Sequence, residues 1–243
     1  MNETTTKTES WTATLARDGA TIAPSLLAAD FANLEREVRR LEAGGAKVLH
    51  VDVMDGRLVP NISIGVPVVA SLRKVTDLKL DVHLMIVEPE KYLEAFRNAG
   101  ADSLSIHIEA APNPTPLLRR IRELGAAPGL VLDLGTPVER VLPFVDEADI
   151  LLTMSVKAGF GGQKFCPSAL DVVRKLRSVA RPDALIEIDG GIDPVTIADA
   201  AEAGANLFVA GTGVFKADDY GRRLALLKRL ALEARDGKRC EAE

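Results

Sequence analysis

The chain has 243 residues, a formal net charge of -5 and 47% hydrophobic residues. This hydrophobic share is ample for a folded core, and the length allows one large domain or two small ones. The negative charge and the lack of a long Lys/Arg run argue against a nucleic-acid partner. No apolar run approaches the roughly 20 residues that span a bilayer, so we expect no membrane partner.

The first residues and the cysteines bear on where the protein works. Residues 1–20 are polar and Thr-rich, and they have neither the apolar core of a secretory signal nor the Arg-rich character of a transit peptide. We interpret them as a flexible N-terminal extension. Cys166 and Cys240 are too few for a disulfide framework, which is typical of a reducing compartment. The composition therefore predicts a cytoplasmic protein.

Short apolar segments alternate with helical patterns along the rest of the chain. The predicted strands are residues 21–27, 47–53, 78–86, 103–110, 129–134, 149–156, 184–190 and 206–213. Segments with helical spacing include residues 31–43, 66–74, 89–98, 169–179 and 220–234. Gly-Ala signals at 44–46, 100–101 and 204–205 are typical of helix C-caps that lead into strands.

This alternation predicts parallel strands joined by crossover helices. Eight such cycles match an α/β fold of the (β/α)8 TIM barrel type, which takes roughly 250 residues. A doubly wound open sheet is the alternative. Because no Pro/Gly/Ser-rich linker interrupts the cycles, we expect a single barrel domain at residues 21–233, followed by a polar tail at residues 234–243.

Reactive side chains cluster at the ends of predicted strands, where barrel active sites lie. His50 and Asp52 alternate along the second strand and therefore point to the same side. His83 lies near the end of the third strand, and Asp189 ends the seventh. A single His in an apolar strand is more simply a hydrogen-bonded core residue. Two imidazoles and two carboxylates together, however, predict a divalent metal such as Zn, Fe or Mn.

Three glycine-rich segments and several further side chains lie at the same rim. Gly190-Gly191 and Gly211-Thr212-Gly213 follow the seventh and eighth strands, whose loops commonly bind phosphate through backbone N–H groups. Residues 158–165, AGFGGQKF, form the kind of loop that folds over a ligand. The remaining rim residues are Ser25 and three methionines that line the pocket or fill the core, Met54, Met85 and Met154.

Taken together, these motifs resemble the ribulose-phosphate 3-epimerase family. The resemblance rests on IAPSLLAADF (22–31), HVDVMDGRLVPN (50–61), DVHLM (81–85), GFGGQ (159–163), DGG (189–191) and VAGTGVF (209–215). It implies a barrel enzyme that inverts C3 of a phosphorylated ketose such as D-ribulose 5-phosphate, giving D-xylulose 5-phosphate. A small phosphorylated sugar is therefore the expected substrate, and we expect a homo-oligomer.

The resemblance also implies roles for individual residues. The ligands of one divalent ion (Zn, Fe(II), Mn or Co) would fall on the four residues found from strand parity: His50, Asp52, His83 and Asp189. Asp52 and Asp189 would also be the acid–base pair, because inversion through an enediolate needs a carboxyl group on each face. The substrate contacts would be Ser25, His83, Gly159, Phe160, Gly161, Gly162, Asp189, Gly190, Gly191, Gly211 and Thr212.

Three rim positions depart from the family's usual residues. Leu58 replaces an aromatic residue, Asp133-Leu134 replaces Asn-Pro, and Ala158 replaces Pro. These departures leave the exact substrate open, with allulose 6-phosphate or a tetrulose phosphate as alternatives. A metal-independent phosphosugar isomerase or lyase and a catalytically silent phosphosugar-binding barrel are further alternatives. The sequence assigns no role to His107.

Overall fold

A computed structural model of the chain describes residues 10–237, which contain eight parallel strands. They are β1 (Thr21–Pro24), β2 (Val48–Met54), β3 (Lys79–Met85), β4 (Ser103–His107), β5 (Ala127–Leu132), β6 (Ile150–Met154), β7 (Leu185–Asp189) and β8 (Leu207–Ala210). Every strand pairs with its neighbours in the chain, β8 pairs with β1, and a parallel bridge from Ser25 to His50 joins β1 to β2. The sheet is therefore a closed barrel, which confirms the predicted fold over the open sheet.

Helices pack against the barrel, most of them on its outer face. They are α1 (Trp11–Asp18), α2 (Leu34–Ala43), α3 (Val66–Val75), α4 (Leu93–Ala99), α5 (Thr115–Glu123), α6 (Ala169–Val179), α7 (Ile197–Glu202), α8 (Thr212–Phe215) and α9 (Tyr220–Arg235). β2 is buried along its whole length, including His50 and Asp52, because a barrel strand is covered on both faces. Between β5 and β6 the chain forms only short 3-10 turns, at Val138–Arg140 and Leu142–Phe144.

Glycine ends one of these helices as the sequence predicts. Gly100 caps α4 with φ of 113°, in the left-handed region that favours glycine. A Cβ atom at this position would lie 2.4 Å from Cγ of Arg73. The cap therefore requires glycine for its backbone angle and also for the close packing of the neighbouring helix α3.

An apolar layer closes the barrel at the amino ends of the strands. It contains the first residues of four strands: Val48, Ile150, Leu185 and Leu207. Leu15 of α1 packs into this layer and is only 6% exposed. Part of the segment predicted as a flexible extension is thus a packed helix, whose N-cap Ser10 accepts a hydrogen bond from the N–H of Ala13.

The predicted domain limits fall close to both ends of the chain. Residues 1–9 of the predicted extension and 238–243 of the predicted tail lie outside the described residues. Helix α9 ends at Arg235, just inside the predicted tail. Within residues 10–237, no helix has both the length and the apolar character needed to cross a membrane.

Candidate active site

A cavity of about 370 Å³ lies at the carboxyl ends of the strands. The predicted site residues that line it are Ser25, Asp52, Met54, Met85, Met154, Gly159, Phe160, Gly161, Gly162, Asp189, Gly190, Gly191, Gly211 and Thr212. His50 and His83 are fully buried, below the floor of this cavity. Sequence reasoning did not single out Leu27, Ala28, Asn61, Val156, Gln163 and Ile192, which also line it.

The four residues predicted as metal ligands lie together at the base of the cavity. Their ligating atoms are all within 4.8 Å of one another. Asp52 Oδ1 lies 3.3 Å from His50 Nε2 and 3.4 Å from His83 Nδ1. Asp189 Oδ2, on the neighbouring side, lies 4.0 Å from His83 Nδ1. Strand pairing explains part of this geometry, because Asp52 and His83 are directly opposite each other in β2 and β3.

The donor set at the centre of this cluster fits a divalent cation. His50 Nε2 and His83 Nδ1 are buried and have no hydrogen-bond partner among residues 10–237. Such orphaned buried atoms are uncommon, because burying a polar atom without a partner costs free energy. A cation between them would satisfy both nitrogen atoms. Two imidazole nitrogens and two carboxylates also form a donor set that first-row transition metals favour.

A second group of buried polar residues supports His50 from below. His50 Nδ1 lies 2.7 Å from Asp81 Oδ2 and 3.4 Å from Glu187 Oε1. Ser103 Oγ donates to the other oxygen of Asp81 over 2.6 Å. Because the ionised carboxylate only accepts, Nδ1 of His50 carries the hydrogen and its Nε2 faces Asp52. Carboxylate–histidine pairs of this kind commonly orient metal-binding imidazoles.

Burial and charge separate the pKa values of the two cavity carboxylates. Burial opposes ionisation of Asp52, but the positive charge of His50 and the close approach of both imidazole rings to Oδ1 lower its pKa below the ordinary value. Burial, together with the negative charge of Asp52, raises the pKa of Asp189 to about 7. At neutral pH the pair therefore holds one ionised group and one group that can carry a proton.

The two histidines of the cluster also differ in their pKa values. Burial lowers the pKa of His83 to about 4, so this ring is neutral at physiological pH. Burial acts in the same direction on His50, but the surrounding Asp52, Asp81 and Glu187 raise its pKa well above the ordinary value. A cation that binds His50 Nε2 would have to displace this proton, because a metal needs the neutral ring.

Apolar and sulfur-containing side chains form the wall beside the carboxylates. Met54, Met85 and Met154 line the cavity and belong to one buried cluster that also contains Leu152 and Val131. Leu58 packs against the same cluster. The sequence left open whether these methionines line the pocket or fill the core. In the structure they do both, because they are buried and also border the cavity.

Glycine is present for different reasons in the loops that follow β7 and β8. Gly190 and Gly191 have φ values of 120° and 64°. A Cβ atom on Gly191 would lie 2.6 Å from the backbone N of Phe165, so the backbone itself requires glycine. Gly211 has φ of -85°, and a Cβ atom there would lie 3.4 Å from Cβ of Ala28. At Gly211 the missing side chain leaves room beside the cavity.

Comparison with known proteins decides the family. The chain matches the model of the ribulose-phosphate 3 epimerase family over residues 21–215. Ribulose-phosphate 3-epimerase of Bacillus subtilis is 46% identical over 211 residues, covering 85% of this chain and 97% of the relative. The enzyme of that name from Mycobacterium tuberculosis is 48% identical over 216 residues, covering 88% of this chain and 93% of the relative. The chain belongs to the ribulose-phosphate 3-epimerase family.

Solved structures agree with the fold at low sequence identity. KGPDC from Streptococcus mutans matches 88% of this epimerase-family chain and 98% of its own length, with a TM-score of 0.65 and 13% identity. The match to thiamine phosphate pyrophosphorylase from Pyrococcus furiosus covers 90% of this chain and 98% of that protein, with a TM-score of 0.62 and 16% identity. At such identities these matches describe the fold alone, a common scaffold for unrelated chemistry.

Two of the departures from the usual family residues contact each other. The N–H of Ala158 donates to Asp133 Oδ1 over 3.1 Å. A proline at position 158 would have no N–H to donate. In the loop that follows, Asn61 Nδ2 donates to the carbonyl of Gly159 over 2.7 Å, and Gln163 Nε2 donates to the carbonyl of Phe160 over 2.8 Å. These bonds hold the glycine-rich loop at the edge of the cavity.

His107 and Glu109 are also connected to the cluster, although sequence reasoning gave them no role. His107 Nε2 lies 2.8 Å from His83 Nε2, and His107 Nδ1 lies 3.1 Å from Glu109 Oε2. The signal was present in the sequence, because His107 follows Ser105 and Ser103 with the same alternation that places His50 and Asp52 inside the barrel.

Proposed function

We propose that this chain inverts C3 of D-ribulose 5-phosphate, giving D-xylulose 5-phosphate. The observation that carries this proposal is the carboxyl pair Asp52 and Asp189, which lines one cavity with pKa values shifted in opposite directions. The names of the relatives, ribulose-phosphate 3-epimerase, support the same substrate.

The proton transfers follow from the chemistry of the ketose. The C3–H bond is adjacent to the C2 carbonyl, so removal of the proton leaves a planar enediolate. Asp52, which is ionised, is suited to accept a proton, and Asp189, with a pKa raised to about 7, is suited to donate one. Inversion requires the donor to lie on the opposite face, and in the reverse reaction the two residues exchange roles. Their titrations are coupled because each charge influences the other.

One divalent cation would be held by His50, Asp52, His83 and Asp189. Such an ion supplies Lewis-acid stabilisation of the negative oxygens of an enediolate. The donor set suits Zn, Fe(II), Mn or Co, and the identity of the metal is part of the proposal. The task of the chain is to direct His50 Nε2 and His83 Nδ1 at the same point, where the cation would displace the proton of His50 Nε2. Asp81 orients the His50 ring through its 2.7 Å contact with Nδ1.

The phosphate would bind to backbone N–H groups in the loops beyond β7 and β8. The proposed groups are those of Gly190, Gly191, Gly211 and Thr212, which line one side of the cavity. Among the described residues that line the cavity, none is Arg or Lys, so backbone dipoles would provide the anion site. Ser25 and the loop residues Gly159, Phe160, Gly161 and Gly162 would complete the substrate contacts. His83, which the sequence also suggested as a substrate contact, is fully buried below the cavity floor and is proposed only as a metal ligand.

An NMR assay of C3 inversion tests this function directly. Purified protein is assayed with ribulose 5-phosphate, unphosphorylated ribulose, allulose 6-phosphate and a tetrulose phosphate, and its metal content is measured by elemental analysis. The proposal predicts the highest kcat/KM for ribulose 5-phosphate and the loss of activity after prolonged chelation. Equal kcat/KM for ribulose and its phosphate would refute the phosphate site. A preference for a four- or six-carbon sugar phosphate would show that ribulose 5-phosphate is not the preferred substrate. Full activity in metal-free protein would refute the proposed metal requirement.

Cellular location and assembly remain proposals that accompany this function. A cytoplasmic location fits an enzyme of small sugar phosphates, and a homo-oligomer is the expected state. Size-exclusion chromatography with light scattering measures the molar mass in solution. A mass of 26.0 kDa, that of one chain, would contradict the oligomer.

A further inference from the structure

His83 has a hydrogen-bond partner on the side that faces away from the carboxylates. Its Nε2 lies 2.8 Å from Nε2 of His107. The two rings are nearly parallel, at 14°, and their centroids are 5.0 Å apart. This separation is expected when the two nitrogen atoms lie between the ring centres. Because both atoms are ring nitrogens, one must carry a hydrogen and donate while the other accepts.

Glu109 determines which of the two nitrogens donates. Its Oε2 lies 3.1 Å from Nδ1 of His107. Burial opposes ionisation of Glu109, but hydrogen bonds from His107 and Thr136 lower its pKa to about 2, so the group is a carboxylate that only accepts. His107 therefore carries its hydrogen on Nδ1. In the neutral ring, Nε2 of His107 is then a bare acceptor, and His83 donates to it from Nε2.

With its hydrogen on Nε2, the neutral His83 ring has no hydrogen on Nδ1. This bare nitrogen faces Asp52 and Asp189. The reversed order would place a hydrogen on His83 Nδ1, at the centre of the metal cluster, and would bring a bare His107 Nδ1 against the carboxylate. Repulsion between that lone pair and the charged oxygen opposes the reversed order. The carboxylate thus acts across two imidazole rings.

We propose that Glu109 is a positioning residue that acts through His107 to hold His83 in the tautomer whose Nδ1 can bind a cation. The proposal rests on the proposed function in one respect, namely that His83 is a metal ligand. Neither Glu109 nor His107 lines the cavity, so both act without touching the substrate. Partners of metal-binding imidazoles commonly change metal affinity by about 10- to 100-fold when they are mutated.

The second oxygen of Glu109 holds the loop that follows β5. Glu109 Oε1 accepts from the N–H of Asp133 over 3.0 Å and from the hydroxyl of Thr136. These two donors keep the carboxylate in place beside His107. Thr136→Val is a matched control, because it removes one of these donors, keeps the bond from the N–H of Asp133 and leaves the carboxylate and both imidazoles chemically unchanged.

Glu109→Gln is the decisive variant. The amide oxygen of glutamine can retain both loop contacts only if the amide NH2 group faces His107 Nδ1. That NH2 group donates, so His107 Nδ1 must accept, and the whole order of hydrogens reverses. His83 would then carry its hydrogen on Nδ1, the atom that is needed for the metal.

The experiment reads the tautomers directly, because the chain has only 3 histidines. Long-range ¹H–¹⁵N spectra of ¹⁵N-histidine protein assign the hydrogen on each ring, with and without Zn. We expect His83 Nε2–H and His107 Nδ1–H in the wild type, already in the metal-free protein. Glu109→Gln should reverse both and weaken Zn binding, measured by chelator competition, by about 10- to 100-fold. Thr136→Val should keep the wild-type tautomers and affinity.

The outcomes separate this inference from the proposed function. Unchanged tautomers in Glu109→Gln, or an equal loss of Zn affinity in Thr136→Val, would overturn the positioning role. A wild type that binds no metal would refute the metal proposal, while the tautomers of the metal-free protein would still test the order of hydrogens. If Glu109→Gln fails to fold, His107→Gln and His107→Met replace it. In His107→Gln the amide oxygen can accept a hydrogen bond from His83 Nε2–H, so the Zn affinity should be retained. His107→Met offers no such oxygen, so its Zn affinity should fall.

Discussion

Ser25 donates a hydrogen bond from its hydroxyl to Oδ2 of Asp52 over 2.6 Å, and both side chains are buried. The other oxygen of Asp52 faces His50 and His83 at 3.3 and 3.4 Å. The two oxygens of one carboxylate therefore have different surroundings, a hydroxyl at the end of β1 and two imidazoles. This arrangement fixes the plane of the carboxylate at the base of the cavity.

Ser25→Ala should lower kcat with little change in metal content. A hydrogen bond to a charged group contributes about 1.5–3 kcal/mol, which corresponds to roughly 10- to 100-fold in rate if the orientation of Asp52 is needed in the transition state. Steady-state kinetics and elemental analysis measure the two quantities. Ser71→Ala removes an exposed hydroxyl on α3 and serves as the control. An unchanged kcat in Ser25→Ala would show that Asp52 needs no such orientation.

Asp52→Asn and Asp189→Asn should each reduce epimerisation by at least ~10²-fold, as expected for a general acid–base group. Each variant retains one carboxyl group and should still exchange C3–H with D2O from one of the two epimers only, a different one in each variant. NMR detects both exchange and inversion, and metal content must be measured in parallel. Exchange from both epimers in either variant would contradict the assigned pair.

Gly211→Ala should raise KM for the phosphorylated substrate more than it lowers kcat, because the methyl group would narrow the proposed phosphate site. The new Cβ atom would also lie 3.4 Å from Cβ of Ala28. Ala28→Gly removes this contact, so the double variant separates two causes. Persistence of the raised KM in the double variant supports crowding of the phosphate. Complete recovery would assign the effect to Ala28 instead.

Tyr220 provides a pH prediction away from the cavity. Its hydroxyl donates to Glu37 Oε2 over 2.6 Å, and burial together with this contact raises its pKa from the ordinary value near 10 to about 12. The folded protein therefore keeps a proton that the unfolded chain loses above pH 10. The free energy of unfolding should fall as the pH rises from about 10 to 12.

Tyrosinate absorbance measures this shift in Tyr92→Phe, because the chain has only 2 tyrosines and Tyr92 is half-exposed. Tyr220 should then titrate near the raised value while the protein is folded. Tyr220→Phe should lose less stability than the wild type across the same pH range. Titration of Tyr220 at its ordinary value would show that the contact with Glu37 is absent in solution.

Leu15→Ala should destabilise the protein without changing catalysis. Leu15 packs into the apolar layer at the closed end of the barrel, and truncation of a buried leucine costs about 2–5 kcal/mol. Denaturant unfolding measures the loss, and kcat should stay at the wild-type value because the cavity lies at the opposite end. Thr14→Ala, on the exposed side of α1, is the control. Equal stability of both variants would show that α1 does not close the barrel.

Strand parity was sufficient to predict the cluster of His50, Asp52, His83 and Asp189. Side chains two residues apart in a strand share a face, and the carboxyl ends of parallel strands meet at one end of a barrel. The same rule places Asp81 and Glu187 inside the barrel, two residues before His83 and Asp189. Sequence reasoning noted Asp81 only as part of the pattern Asp81-x-His83 and gave neither residue a role, because it sought ligands at the strand ends.

Contacts across the barrel could not be predicted in this way. The approach of Glu187 on β7 to His50 on β2 depends on the diameter of the closed sheet, which parity does not determine. The link from Glu109 to the loop after β5 depends on side-chain rotamers. Helix α1 was missed for another reason, since its only large apolar side chains are Trp11 and Leu15 and the helix is stabilised by tertiary packing rather than by its own pattern.

The closed end of the barrel has a practical consequence for spectroscopy. Trp11, the only tryptophan of the chain, packs against the layer that contains Leu15. Tryptophan fluorescence therefore reports the detachment of α1 from this apolar layer, which lies at the opposite end of the barrel from the cavity. Thermal unfolding followed by tryptophan emission therefore measures the unfolding of the barrel. Sugar phosphate that binds in the cavity should leave the emission spectrum of the folded protein unchanged.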